Sequence, residues 1–397
     1  MSDERLHIAL VGPAEPRSLE RHLNTEVSIP DGLGGVPVNE LADGLLALGH
    51  RVSIYTCSPA VNTTVRMGGE RLDITVVPYR HSARARALDF FRQERRDLER
   101  ELKNSSADIV HAHWTYEFAL AAIKSANSPV LVTAHDAPLT ILRHMTDAYR
   151  LIRTAMAIRV RFAIRELTAV SPYLEHSWRT QMLYRRPISV IANVVPDLPP
   201  ADPSSVRSRW VILDVAGDSP LKNVRTLIRA FAIVVAKYPK AELRLVGPGL
   251  AAEDPIAEWA RSQQLDRNIT FVGSADRARI ANEYARASIL CHPSLEEAQP
   301  LALIEALRAE LVVIGGASSG GVPWTLFDGR AGILVDVRSA SAIADGIESA
   351  LARVAGGFSP DPDLVLALEA RHGKETVARD YVAAYRHLIS ASKTSGK

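Results

Sequence analysis

Cysteine is nearly absent from this chain of 397 residues: there are two, Cys57 and Cys291. Each sits in a short apolar run, "RVSIYTC" and "SILCHPS". Two isolated thiols make neither a thiolate metal cluster nor a disulfide framework, so a reducing cytoplasm is the expected compartment. Excess charge is scarce as well. The 47 Lys and Arg against 45 Asp and Glu leave a formal net charge of +2, which argues against a nucleic-acid partner. No apolar run approaches the ~20 residues of a membrane span. The start, "MSDERLHIALVGP", is acidic, and its apolar run is too short for a secretory signal. Internal repeats are missing too. The Asp-x-Asp at 361–363 lies in a Pro-rich stretch and reads as loop, so no metal site is expected.

What is present is an alternation of short β-branched runs with helical patterns. Strands are expected at 7–12, 51–57, 74–79, 108–113, 130–135, 166–171 and 188–193, with helices such as 39–49 and 82–103 between them. Prolines 196, 199, 200 and 203 then break the periodicity. The pattern restarts with strands at 210–217, 241–247, 268–273, 288–294, 311–316 and 331–336. We therefore expect an α/β protein with one Rossmann-like domain over 1–196, a linker over 197–209 and a second Rossmann-like domain over 210–373. The segment 374–397 is expected to be a final helix that crosses back toward the N-terminal domain. Two doubly wound domains leave a cleft where the carboxyl ends of the strands gather and ligands bind.

The stretch "PSLEEAQPLALIEAL", 293–307, poses a chemical question. Pro300 suits a helix start, which places Glu297 just before a helix N-terminus, where free amides favour phosphate. Glu305 falls about a turn and a half into an otherwise apolar helix. Burying an unpartnered carboxylate costs about several kcal/mol. Three roles are open: binding a ribose-like diol, meeting a buried arginine, or capping a neighbouring loop. A second question comes from 143–165, where Arg143, Arg150, Arg153, Arg159, Arg161 and Arg165 stand among apolar residues. The readings are a solvated basic face, which is favoured, or contact with an anionic membrane or a phosphate-bearing lipid.

Glu297 and Glu305, with seven residues between them after "PS", resemble the E-x7-E motif of the retaining glycosyltransferases of family 4, a GT-B group. The likeness continues in order along the chain. It takes in "GLGGVPVNELADGLLALGHRVSIYT", "ADIVHAHW", "VLVTAHD", "AVSPYLEHSW", "LKNVRTLIRAFAIVVAKYPKAELRLVGPG" and "FDGRAGILV". It implies two Rossmann-like domains facing each other across a cleft. It also implies metal-independent transfer of a hexose, with retention, from a nucleotide-diphosphate sugar to a glycan, lipid or small-molecule acceptor. No further cofactor is implied, and the location is cytoplasmic or peripheral at the inner membrane face.

Residue by residue, the resemblance makes Glu297 and His135 the groups nearest the transferred sugar. Lys222 becomes the diphosphate cation and Glu305 the ribose ligand. Leu301 joins the donor-binding set, and Gly34 and Gly35 allow close backbone approach to the donor. His111 and His113 share a strand, and at most one is expected to face the cleft, a core role being expected for either.

The chain departs from the family pattern at several points. Asp218 stands where an arginine usually precedes the lysine, which makes Arg225 a candidate cation. Trp324 replaces a glutamate after Gly320-Gly321-Val322-Pro323, and "EAQP" and Val194 replace glycine-bearing positions. A silent GT-B relative that binds a sugar or a partner protein is the alternative. A nicotinamide-dependent dehydrogenase fits poorly: the first strand ends near Gly12, and Gly32 follows some twenty residues later.

Overall fold

The computed structural model describes residues 5–24 and 27–395; sequence readings on 1–4, 25–26 and 396–397 lie outside it. The chain forms two compact units. One comprises the residues up to Pro196 together with those from Arg371 on, and the other comprises Asp197–Ala370.

In the first unit the described residues form an eight-stranded sheet. Its strands are β1 His7–Val11, β2 Arg51–Ser58, β3 Val65–Gly68, β4 Leu72–Pro78, β5 Ile109–His113, β6 Val130–Ala134, β7 Leu167–Ala169 and β8 Ile188–Val190. They run in the order β3-β4-β2-β1-β5-β6-β7-β8. Only β3 is antiparallel to its neighbour. Alternation along β1 shows why both faces need cover: Ala9 and Val11 enter one core, Ile8 and Leu10 the other. The first core is closed by helices Arg92–Leu102, Glu117–Ser125 and Ala148–Ala163, through Leu98, Phe118 and Met156. The second is closed by helix Val36–Ala47, through Leu41 and Leu45, and by the last helix, Lys374–Ser395, through Val377, Tyr381 and Tyr385. The Lys374 ammonium fixes the start of that helix, 2.6 Å from Asp43 and 3.0 Å from Glu40.

The second unit carries a six-stranded, wholly parallel sheet. Its strands are β9 Val211–Val215, β10 Glu242–Val246, β11 Ile269–Gly273, β12 Ile289–His292, β13 Val312–Gly316 and β14 Ile333–Val335, ordered β11-β10-β9-β12-β13-β14. Helices Val224–Lys237 and Ala340–Ala355 cover one face through Phe231, Ile343 and Ile347. Arg277–Arg286 and Leu301–Arg308 lie against the other. Both units are doubly wound, as the strand–helix alternation predicts.

Three elements differ from the sequence reading. The helix expected over 82–103 is two, Ala83–Leu88 and Arg92–Leu102, because Phe90 and Phe91 turn left-handed, each at φ 55°. The run 143–165 is likewise divided, into Pro138–His144 and Ala148–Ala163. There Asp147 caps the second helix by accepting from the Arg150 amide at 2.9 Å. The Pro-rich stretch read as loop opens a helix, Pro362–His372.

Candidate active site

β9 ends in the loop 216–223, which a glycine lets close on its neighbour. Gly247, at φ 145°, has no room for a side chain, since a Cβ would stand 1.9 Å from the Ala216 carbonyl. Asn223, itself left-handed at φ 56°, begins helix Val224–Lys237. Its side-chain Nδ2 donates to the carbonyls of Pro293 (3.2 Å) and Val337 (2.8 Å). The Leu295 amide donates to the Leu221 carbonyl at 2.7 Å. Lys222 and Glu297, 75 positions apart, are thus fixed on two loops that are stitched together.

Lys222 Nζ donates to Glu297 Oε1. The same oxygen accepts from His292 Nε2 at 2.9 Å, and His292 Nδ1 faces Asp214 Oδ1 at 3.0 Å. Burial alone pushes His292 down, but hydrogen bonds to Asp214 and Glu297, with their charges, outweigh it and bring its pKa to about 9. Burial opposes ionisation of Glu297 too, yet Lys222 and His292 hold it well below the usual carboxylate range. Acid and base thus alternate along one line, from Asp214 through His292 and Glu297 to Lys222. Behind it, Gly321 lets its loop touch the Glu297 loop. Its amide donates to the Glu297 carbonyl at 2.7 Å, and a Cβ there would stand 2.2 Å from the Ala298 carbonyl.

Leu301 is the first residue of the following helix, and Glu305 lies one turn further in, 5% exposed. Arg277 donates to its Oε1 at 2.7 Å and the Tyr284 hydroxyl to its Oε2 at 3.1 Å. Of the roles left open by the sequence, pairing with an arginine is the one met in the free protein, and that arginine is partly exposed rather than buried. Arg225 does not join Lys222; its guanidinium lies 4.9 Å from the centre of the Trp259 ring. Asp218 is exposed at the end of β9.

Gly34, Gly35 and His135 belong to the first unit. Both glycines are left-handed, at φ 77° and 89°. Gly35 has backbone against it, 1.9 Å from a built Cβ to the Pro13 carbonyl, whereas Gly34 faces open space. His135 follows β6 and stacks on Trp114 with ring centres 4.2 Å apart. Its Nε2 is 2.9 Å from His113 Nδ1. His111 and His113 do not split between faces as expected. Residues two apart on a strand share a face, and the two rings lie 4.1 Å apart. His111 is held by the Tyr385 hydroxyl (2.7 Å) and the Thr133 hydroxyl (2.6 Å). Burial lowers all three histidines, His113 to about 3, so they are neutral at pH 7.

The residues missed by sequence reasoning are Asp214, His292, Arg277 and Tyr284. An acid inside "VILDV" and a histidine ending "SILCH" were the signal: charge-bearing residues on strands buried on both faces. Among the described residues, no three His, Cys, Asp or Glu side chains gather as a metal-ligand set, and no helix is long and apolar enough to cross a membrane.

Residues 34–197 match Glycosyltransferase Family 4, and residues 201–353 match Glycosyl transferases group 1. The phosphatidyl-myo-inositol mannosyltransferase of Mycolicibacterium smegmatis is 27% identical over 91% of this chain and 90% of its own length. The D-inositol 3-phosphate glycosyltransferase of Streptomyces scabiei is 32% identical, but only over 36% of this chain and 32% of that protein. Among solved structures, sucrose-phosphate synthase from Thermosynechococcus elongatus superposes with a TM-score of 0.76 at 19% identity, covering 98% of this chain and 100% of that one. Anabaena HepE, in complex with UDP and glucose, gives 0.69 at 15% identity, covering 96% and 99%. At such identities the likeness speaks for the fold, which is GT-B.

Proposed function

Because the chain belongs to the GT-B glycosyltransferases of family 4 and group 1, we propose that it moves a hexose from a nucleotide-diphosphate sugar to an acceptor with retention and without a metal ion. The observation that carries this reading is the Lys222–Glu297 pair at the strand ends of the second unit. Lys222 meets the leaving diphosphate, a charge that grows as the glycosidic bond breaks and that fixed cations stabilise. Glu297 then meets the hydroxyls of the sugar, and Glu305 exchanges Arg277 for the ribose. His135, neutral and so able to accept as well as donate, is assigned to the sugar. The HepE structure holds UDP, which makes UDP the first nucleotide to try.

Thermal unfolding with UDP, GDP, ADP, TDP and CDP, each without metal, tests the donor assignment. A ligand at a hundred times its dissociation constant adds about 2.7 kcal/mol. One nucleotide should raise the melting temperature. The anomeric coupling constant of the product then reports retention.

For the acceptor side we infer contact with an anionic lipid surface through helix Ala148–Ala163. Leu151, Ile158 and Phe162 are 59%, 41% and 66% exposed. At 100° per residue they lie within about 20° of one line, an apolar stripe turned to solvent. Arg159 and Arg161 flank it on either side, the arrangement of an interfacial helix. The relative from Mycolicibacterium smegmatis is named for a phosphatidyl-inositol acceptor, consistent with such a surface. Phe162→Asp should abolish co-sedimentation with phosphatidylglycerol vesicles. Equal binding of wild type to phosphatidylcholine alone would remove the anionic requirement.

Asp218 supports a second reading, a silent relative that binds without turnover. It places an acid where the family carries a cation, and no ion pair to it exists among the described residues. Product formation from the stabilising donor would eliminate this reading.

A further inference from the structure

Two residues of the charged line play no part in the motif that located it. Asp214 and His292 sit on the adjacent strands β9 and β12, exposed by 0% and 2%. Both ring nitrogens of His292 face carboxylate oxygens, Nδ1 that of Asp214 and Nε2 that of Glu297. Carboxylates only accept, so the geometry asks for a ring that donates twice. Lys222 reaches the same Glu297 oxygen from a solvent-exposed position, its side chain 31% exposed. Glu297 Oε2 accepts from no described residue.

A diphosphate arriving at Lys222 competes with Glu297 for the ammonium. Once Lys222 turns to the phosphate, His292 is the donor left on Oε1. Resting on the donor-site reading above, we propose that His292, oriented by Asp214, is a positioning residue that holds Glu297 Oε1 from beneath while Lys222 serves the diphosphate, so that Oε2 stays aimed at the transferred sugar.

The groups that face His292 are Asp214 from β9, Glu297 from the loop after β12 and, through Glu297, Lys222 from the loop after β9. Further off stand Cys291 on the same strand and Tyr284, both of which feel the charge of Asp214, with Glu305 and Arg277 behind Tyr284. Hydrogen bonds to the two carboxylates outweigh burial and keep the ring doubly protonated through neutral pH.

The test uses the full chain with 15N-labelled histidine and long-range proton–nitrogen spectra. Both His292 nitrogens should remain protonated to about pH 9, with and without the nucleoside diphosphate that stabilises the fold. Asp214→Asn, nearly isosteric, should move that titration to lower pH. It should also cut kcat for the donor by roughly 100-fold while KM changes little, since a slightly misplaced reacting group costs about that much. His292→Gln keeps an N–H for Glu297 and should lose less kcat than His292→Leu, with melting curves confirming that both fold. A singly protonated ring at pH 7.5, or an Asp214→Asn variant whose loss lies in KM alone, would overturn the positioning role. Failure of every nucleoside diphosphate to bind the wild type would instead end the donor-site reading, and the positioning role with it.

Discussion

At the scale of single residues, Glu305 shows how an apolar helix tolerates an acid. Arg277 and Tyr284 satisfy both of its oxygens, so the buried charge is not orphaned. The Arg277 side chain is 40% exposed and can leave for solvent when a ligand offers hydroxyls instead. Glu305→Ala should therefore weaken nucleoside diphosphate binding by about 10- to 100-fold, the worth of roughly 1.5–3 kcal/mol for hydrogen bonds to a charged group. Calorimetric titration measures it, and wild-type affinity in the variant would sink the ribose assignment. A second expectation concerns pH. His292 titrates near 6.5 when free of the fold and near 9 within it, so the stability it adds is complete below about 6.5 and is lost as pH rises through about 9. Glu297 works in the opposite sense: its contribution is present above its ordinary 4.5 and fades as pH falls below that value. The melting temperature should thus decline from about pH 6.5 to 9, and Asp214→Asn should flatten that slope. Glu297, Glu305 and Lys222 could be picked from the sequence because their spacing repeats a family pattern. Asp214 and His292 fall outside that pattern: each is marked only as a charge-bearing residue on a buried strand, and their meeting, 78 positions apart, follows from strand order.

At the scale of elements, the strands were legible where both faces are buried, since β-branched runs then stand out against polar loops. β3 escaped notice because it is four residues long, half-exposed and antiparallel at the sheet edge. The break at Phe90 and Phe91 was invisible for another reason: neither residue type signals a left-handed backbone. Helix Pro362–His372 was hidden by the very residue that starts it, since proline punctuates loops but also suits a first helical turn. The contact between loops at Gly321 depends on one missing methyl group. Gly321→Ala should lower the unfolding free energy by about 1–3 kcal/mol, the usual cost of overpacking. Urea denaturation would register it as a lower midpoint with unchanged slope. A variant as stable as wild type would mean that the Ala298 carbonyl yields without cost.

At the scale of the molecule, alternation of strand and helix was enough to expect two doubly wound sheets, and both are present. Less legible was how much the first sheet depends on the far end of the chain. Val377, Tyr381 and Tyr385 are buried in its second core, and the Tyr385 hydroxyl holds His111. A chain stopped after residue 373 should expose those core faces and be recovered largely as aggregate, measurable as soluble yield and by dye binding. Soluble, melting-competent material would show that the sheet closes without its last helix.

That dependence has a consequence for synthesis. His111 waits for a partner made 274 residues later, on the order of tens of seconds at typical ribosomal speeds. The sheet that is translated first is thus the one finished last, after an entire second sheet has emerged between its parts. During that interval one face of the nascent domain is covered only in part, by helix Val36–Ala47, and chaperones have a defined surface to cover until the helix Lys374–Ser395 leaves the exit tunnel.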